Sequence, residues 1–281
     1  MACPLLHKIV AGPSTTIRKE LHELQSGCQN VKVSIITVVL NGQDTIEDCM
    51  RSVLGQTHPD LEYIIIDGGS SDDTLEKIKG YGNHVTKLIS EPDMGIYDAM
   101  NKGIKLASGE IVGILNSDDI YSDTEVVSLV VKEFLEVDAE AVFADLLYVD
   151  RGDLQKVKRY YRSANFHVNK FAYGWMPAHP TFFVKREMYE KYGLFKTDYQ
   201  IAADYELLVR FFYKNKVSYS YIPKVLVRMR TGGISTKSIK SNWILNREII
   251  RACKENGIKS NMLKVLSKYP RKLLELLCKS A

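Results

Sequence analysis

The feature that most constrains this chain is a rhythm. Between residues 33 and 116, four short apolar runs, VSIITVV (33–39), LEYIIID (61–67), KLIS (87–90) and EIVGILN (110–116), alternate with amphipathic segments. Runs rich in β-branched residues and lacking polar alternation read as strands buried on both faces. Between them, Ile46, Met50, Val53 and Leu54 recur at helical spacing behind a candidate N-cap, Thr45. Asp72 or Asp73 can cap a helix running to about Lys79, and Ile96, Met100, Gly103, Ile104 and Ala107 share one helical face. Strand and helix in strict alternation predict a parallel α/β sheet covered by helices. In such sheets ligands bind beyond the carboxyl ends of the strands. Asp67 ends one predicted strand, and Asp118 and Asp119 follow another, so three carboxylates converge on one crevice. Adjacent carboxylates repel unless a cation or hydrogen-bond donors compensate. A hard divalent ion that shares its shell with phosphate oxygens would do so; an Asx turn capping the next helix is the alternative.

After Asp119 the rhythm changes. A helix is predicted from about Thr124 to Leu135. Strands follow in AVFADLLYVD, VKRYYR and PTFFVK, then a helix over 204–215 with Leu207, Leu208, Phe211 and Phe212 inward, and a strand in VSYSYIP. RMRTGGIS (228–235) reads as a Gly-hinged loop carrying two arginines, either a lid or an ordinary basic loop. Two helices are expected from Lys237 onward, with Pro270 interrupting the second. Residues 1–30 are weakly patterned, an extension with a short helix around Ile17 to Leu24. The expected division is therefore an extension (1–30), a main domain (31–236) and a helical tail (237–281).

Composition enters by exclusion. A net charge of +4 over 281 residues is too diffuse for a nucleic-acid partner. No stretch approaches the roughly 18 apolar residues of a spanning helix, and MACPLLHKIVAGPSTT lacks a signal-peptide pattern. The five cysteines form no CxxC pair, which argues for a reducing cytoplasm rather than a disulfide or zinc framework. From Lys254 to the end, seven basic residues face two acidic ones among many leucines. Such a segment is either a basic amphipathic helix on an anionic membrane surface or a packed helix with a solvated face.

TVVLNGQDTIEDCMRSVLGQTHPDLEYIIIDGGSSDDT followed by EPDMGIYDAMNKGIKLASGEIVGILNSDD resembles glycosyltransferase family 2, over about residues 32–230. Five elements stand in the family's order: Asn41 closing the first strand, Ser52 with Gln56, Asp67 to Thr74, Gly95 to Gly103, and Asp118 with Asp119. The resemblance implies a GT-A fold, a mixed and mostly parallel sheet flanked by helices. It implies inverting transfer of a sugar from a nucleoside-diphosphate sugar, UDP-sugar favoured, to an acceptor hydroxyl, with Mn²⁺ or Mg²⁺ on Asp119. Thr37, Val39, Asn41, Asp67 and Asp118 would bind the nucleotide. Asp204, in AADYELLVRFF, would be the base; its alternative is an N-cap, with Glu206 in the first turn. His179 in WMPAHPTFFVKR would touch diphosphate or acceptor, or simply shape a turn, and Trp175 would stack on a sugar or lie in the core. Arg230 belongs to the candidate lid.

Four departures bear on the donor base. Gly68 stands where many members carry a second Asp, Val38-Val39-Leu40 replaces P-T-Y, Met100 replaces an Arg, and Asn116 replaces an acid. The implied role is one sugar addition in O-antigen, capsule or exopolysaccharide assembly. The acceptor would be polyprenyl-diphosphate-linked, at the cytoplasmic face of the inner membrane, with peripheral contact through the tail. The alternative is a degenerate domain serving as a membrane-associated assembly partner. LNGQDT lacks the Gly-rich loop that a nucleotidyltransferase or a dinucleotide-binding dehydrogenase would need there.

Overall fold

The computed structural model describes residues 31–232 and 239–267; the expectations for residues 1–30, for the part of RMRTGGIS and the start of the tail within 233–238, and for Pro270 and the end of the tail lie outside them. Among the described residues, nine strands form one sheet. In chain order these are β1 (Val33–Val39), β2 (Leu61–Asp67), β3 (Lys87–Ser90), β4 (Ile111–Ile114), β5 (Asp119–Tyr121), β6 (Ala141–Val149), β7 (Val157–Tyr161), β8 (Phe183–Lys185) and β9 (Tyr219–Arg230). The helices are α1 (Ile46–Leu54), α2 (Thr74–Lys79), α3 (Ile96–Leu106), α4 (Val126–Val137), α5 (Glu187–Tyr192), α6 (Ala203–Leu208), α7 (Ile239–Glu255) and α8 (Met262–Leu266).

The sheet runs β3-β2-β1-β4-β8-β6-β9-β5, with β7 beside β6. The β1–β2, β2–β3, β1–β4 and β6–β9 pairs are parallel, and those involving β5, β7 and β8 are antiparallel. The parallel left half is the one the apolar runs predict: β1 is buried along its whole length. Each face of the sheet has its own core. One gathers Ile36, Ile64, Phe143 and Tyr205 under α3 and α7, the other Ile35, Met50, Ile65 and Val130 under α1 and α4. Gly103 permits α3 to lie directly on the sheet, because a Cβ there would stand 2.4 Å from Ile36 Cγ2. Asn101, two residues earlier, is a clamp: its amide donates to the Phe195 carbonyl (2.8 Å) and its oxygen accepts from Phe195 N (2.9 Å).

Three expectations are corrected. β9 is far longer than VSYSYIP and carries Arg228 and Arg230 within the strand, not in a hinged loop. Its pairing with β6 skips residues 223 and 224, where Pro223 has no amide proton to donate. The helix predicted over 204–215 is α6 followed by a π-helical turn, Val209–Lys214. α5, too short for periodicity to register, was not expected at all.

Candidate active site

The site is built from strand ends. After β1, Asn41 adopts a left-handed conformation (φ 51°), which Asn tolerates better than most residues. Its backbone N–H donates to Ser70 Oγ (2.8 Å), and its side-chain oxygen accepts from Ser71 N (2.9 Å). Gly42 N donates to Thr74 Oγ1 (2.9 Å), and Gln43 N to Asp72 Oδ2 (3.2 Å). The turns after β1 and β2 are thus laced together into one rim. Asp67 is fully buried, and its carboxylate accepts from Ser70 N, Ser70 Oγ and Ser90 Oγ. Thr37 is buried as well, accepting from Tyr63 OH (3.1 Å) beside Cys49. Val39 lies in the core beneath the rim. The side chains of Thr37 and Asp67 therefore shape the rim from below, while Asn41 belongs to its surface.

After β4, residues 116–119 close a turn through Asp119 N–H donating to the Asn116 carbonyl (3.0 Å). Asp119 then begins β5, paired with Met229 of β9. The Ser52 and Gln56 pair of α1 supports this segment. Ser52 Oγ accepts from Tyr121 N (3.2 Å), and Gln56 donates to the Asp123 carbonyl (2.7 Å) and accepts from Val127 N (3.0 Å). Arg230, buried at the end of β9, donates to the Asp118 carbonyl (2.8 Å) and pairs with Asp48 (2.5 Å). Its place is under the carboxylate turn, as an anchor. Among the described residues, four buried side-chain polar atoms lack any partner: Asn116 Oδ1, both oxygens of Asp119 and Arg230 Nε. All four lie in this neighbourhood. Burial pushes the Asp119 carboxyl well above its ordinary value, the Asp118 charge adds to that, and Arg230 opposes it.

These residues fit a divalent cation. A fully buried carboxylate with both oxygens unpartnered is expensive to keep charged, and a hard ion compensates it. Among the described residues, no group of three or more His, Cys, Asp or Glu side chains is gathered for a metal. The fit is therefore to an ion that draws its remaining oxygen ligands from elsewhere, as a diphosphate would supply them.

Beside this turn opens a pocket lined by Asn116, His179 and Asp204 among mainly apolar neighbours such as Met100, Phe182 and Leu207. Asp204 is the second residue of α6; the N-cap is Ala202, so the capping alternative for Asp204 is not what the helix uses. Its Oδ1 accepts from Tyr205 N (2.7 Å), and its Oδ2 lies 3.3 Å from His179 Nδ1. His179 opens a 3₁₀ turn, His179–Thr181. The turn is pinned to β6 by Thr181, whose hydroxyl accepts from Ala144 N (2.9 Å) and donates to its carbonyl (3.0 Å). Glu206 points the other way. It is fully buried against Arg210 (3.0 Å) and Lys196 (3.0 Å) and serves the core. Trp175 is half-buried, outside both apolar clusters.

Asn116 shows in the sequence only as a departure from the family's acid, and Tyr148 carries no local sequence signal. Asn116 links the carboxylate turn to the pocket. Tyr148, paired with Met229 on the neighbouring strand, has its phenol raised by burial; Arg159, 4.4 Å from its ring centre, opposes this, and the Asp119 and Asp204 charges add to it.

The family model described as Glycosyl transferase family 2 matches residues 34–193. An uncharacterized glycosyltransferase of Mycobacterium tuberculosis, Rv1514c, is 33% identical over 180 residues, covering 63% of this chain and 68% of that protein. A PGL/p-HBAD biosynthesis glycosyltransferase of Mycobacterium bovis is 25% identical over 222 residues, 78% of this chain and 82% of its own. Among solved structures, S. aureus TarS in complex with UDP-GlcNAc has a TM-score of 0.64 at 17% identity, covering 81% of this chain and 68% of that one. In another TarS structure the match covers 85% of this chain and 42% of that one. The mannosyltransferase PcManGT from Pyrobaculum calidifontis, in complex with GDP-Man and Mn²⁺, has a TM-score of 0.58 at 18% identity, covering 85% of this chain and 70% of that one. The structural likenesses establish the GT-A architecture, and the sequence match establishes the family. The chain belongs to glycosyltransferase family 2.

Proposed function

We propose that the chain moves a sugar, with inversion, from a nucleoside-diphosphate sugar to a hydroxyl of a saccharide acceptor. The observation that carries this reading is the concentration of unpartnered buried polar atoms at Asn116, Asp119 and Arg230, beside a pocket that also holds Asp204. Asp119, with Asn116 next to it, would hold Mn²⁺ or Mg²⁺, which would neutralise charge developing on the leaving diphosphate. Asp118 lies at the mouth of the same turn, its carbonyl held by Arg230, and is assigned to the nucleotide together with Asn41 and the rim. Inversion requires a base on the sugar face opposite the leaving group. Asp204 takes the acceptor's proton at Oδ2. Its Oδ1 is held by Tyr205 N, and His179 orients the reactive oxygen. Trp175, half-buried and free of the core, is assigned to the acceptor side.

TarS bound to UDP-GlcNAc and PcManGT bound to GDP-Man and Mn²⁺ support a nucleotide-sugar donor and a divalent cation. A polyprenyl-diphosphate-linked acceptor in O-antigen, capsule or exopolysaccharide assembly is the pathway we assign, at the cytoplasmic face of the inner membrane. The basic composition of residues 254–281 supports a peripheral contact; among the described residues no helix is long and apolar enough to cross a membrane.

The test is release of nucleoside diphosphate from a panel of UDP- and GDP-sugars with Mn²⁺. Release from one donor is expected, falling about 10²- to 10⁴-fold in Asp204→Asn, the range of a general base. Equal release by wild type and Asp204→Asn would remove Asp204 from the mechanism.

A further inference from the structure

We infer that Asp93 reads the donor's nucleobase and selects a uracil or thymine nucleotide over a guanine one. The inference rests on the transferase reading above and names the base it leaves open.

The nucleoside has to lie against the carboxyl ends of β1, β2 and β3, where the turns adjoin: Gly68 N donates to the Val39 carbonyl (2.8 Å) and Glu91 N to that of Asp67 (3.0 Å). Asp67 offers nothing to a ligand there, because it is fully buried and both its oxygens accept from Ser70 and Ser90. The next residue, Gly68, has no side chain. A Cβ at position 68 would stand 2.8 Å from Asp93 Oδ2 and 3.6 Å from Leu40. A side chain at 68 and the Asp93 carboxylate therefore compete for one space, and in this chain Asp93 has it. The carboxylate reaches the rim from the β3–α3 loop.

Its two oxygens are not equivalent. Oδ1 accepts from Lys102 Nζ at 2.6 Å, and Lys102 is itself fixed by Glu91 (2.9 Å) and the Pro92 carbonyl (3.2 Å). Oδ2 has no hydrogen-bond partner among the described residues, although the Asp93 side chain is only 9% exposed. Oδ2 is not among the buried polar atoms without a partner; it meets solvent at the rim, open to a donor from a ligand. Exposed apolar side chains stand in the same turns: Leu40 is 63% exposed, Met94 83% and Ile96 37%. A single acceptor among exposed apolar groups suits a flat ring with one ring N–H.

Uracil and thymine present that pattern, one N3–H between two carbonyls. Guanine presents N1–H and an exocyclic amino group side by side, and pairs best with both oxygens of a carboxylate. Lys102 holds one of the two. Cytosine and adenine place a ring-nitrogen lone pair beside the amino group, which would face the carboxylate's own lone pairs.

The experiment is calorimetric titration of UDP, TDP and GDP, with Mn²⁺, into the full chain as wild type, Asp93→Ala, and Asp93→Gly combined with Gly68→Asp. Wild type is expected to bind UDP and TDP at least about tenfold tighter than GDP. Asp93→Ala is expected to lose about 10- to 100-fold for UDP, the loss of one hydrogen bond to a charged group, and little for GDP. The double variant returns a carboxylate to the same space from position 68 and is expected to regain most of the UDP affinity. If Asp93→Ala does not fold, Asp93→Asn keeps the shape, and about a fivefold loss specific to UDP and TDP is expected. Tighter GDP binding in wild type, or an unchanged UDP-to-GDP ratio in the Asp93 variants, would overturn the inference and leave the transferase reading intact. Absence of binding by any nucleotide would overturn both.

Discussion

Asp119 is held where a carboxylate is hardest to keep charged. Burial and the neighbouring Asp118 both favour its protonated form, and Arg230 offsets them only in part. A cation arriving there competes with a proton for the same oxygens. Uptake of Mn²⁺ should therefore release protons, and affinity should rise with pH. Calorimetry in buffers of different ionisation enthalpy would show this as a buffer-dependent heat, absent in Asp119→Ala; a heat independent of buffer would count against the raised value. At this scale the sequence was partly legible. Asp118 and Asp119 announce themselves as paired charges at the end of an apolar run, and Asp204 and His179 through the order of motifs around them. Asp93 and Tyr148 were not, because nothing local marks them, and Asn116 was visible only as a departure from the family's acid. Their proximity to the site comes from contacts between segments far apart in the chain, such as Asp93 over Gly68 and Asp204 beside Asn116.

At the scale of elements, the α6 N-terminus depends on a distant helix. Glu248 of α7 accepts from the backbone amides of Gln200 (2.7 Å), Ile201 (2.9 Å) and Ala202 (2.9 Å), the residues that lead into Asp204. A carboxylate at a helix N-terminus also complements its dipole. Glu248→Ala should destabilise the fold by on the order of 2 kcal/mol, since buried amides lose their acceptor. If Asp204 is the base we propose, Glu248→Ala should also lower kcat more than donor KM, because Asp204 shifts while the rim at β1 and β2 does not; urea unfolding and donor-release kinetics would check both. An unaltered kcat would mean that α6 holds its own geometry. The parallel strands were readable to within a residue or two because strands buried on both faces are written as unbroken apolar runs. β5 and the second half of β9 were not, since Asp119, Lys224, Arg228 and Arg230 interrupt them with charge. Arg230 reads as a lid residue for that reason, whereas pairing with Val149 of β6 makes it part of the floor.

Across the whole molecule, ion pairs tie the sheet to its covering segments. Glu62 of β2 is buried. Burial alone would raise its carboxyl, but Lys87, Ser108 and Ser34 outweigh that and bring it down to about 2, from an ordinary 4.5. Glu255, which joins α7 to Lys196, Arg251 and Tyr199, is likewise brought to about 2 against the effect of its burial. Depressed carboxylates stabilise the fold fully above their unfolded values, and that contribution is lost as pH falls through the folded ones. Stability should thus decline between about pH 4.5 and 2. Glu62→Gln should remove part of that slope, about 1–3 kcal/mol after allowance for solvent at Lys87. Urea unfolding at a series of pH values would test it, and an undiminished slope in the variant would exclude Glu62 as a source. The overall architecture was legible because alternation of strand and helix admits few topologies. The docking of α7 and α8 on the α6 side was not, since Cys253, Ile249 and Val265 contact partners far away in the chain.

In the proposed mechanism a cation–diphosphate site at Asp119 is separable from a base at Asp204. The most direct measurement is titration of UDP into wild type, Asp119→Ala and Asp204→Asn, each with Mn²⁺ and with EDTA. Mn²⁺-dependent binding is expected of wild type and Asp204→Asn, with its loss in Asp119→Ala. Binding that ignores both EDTA and the loss of Asp119 would contradict it.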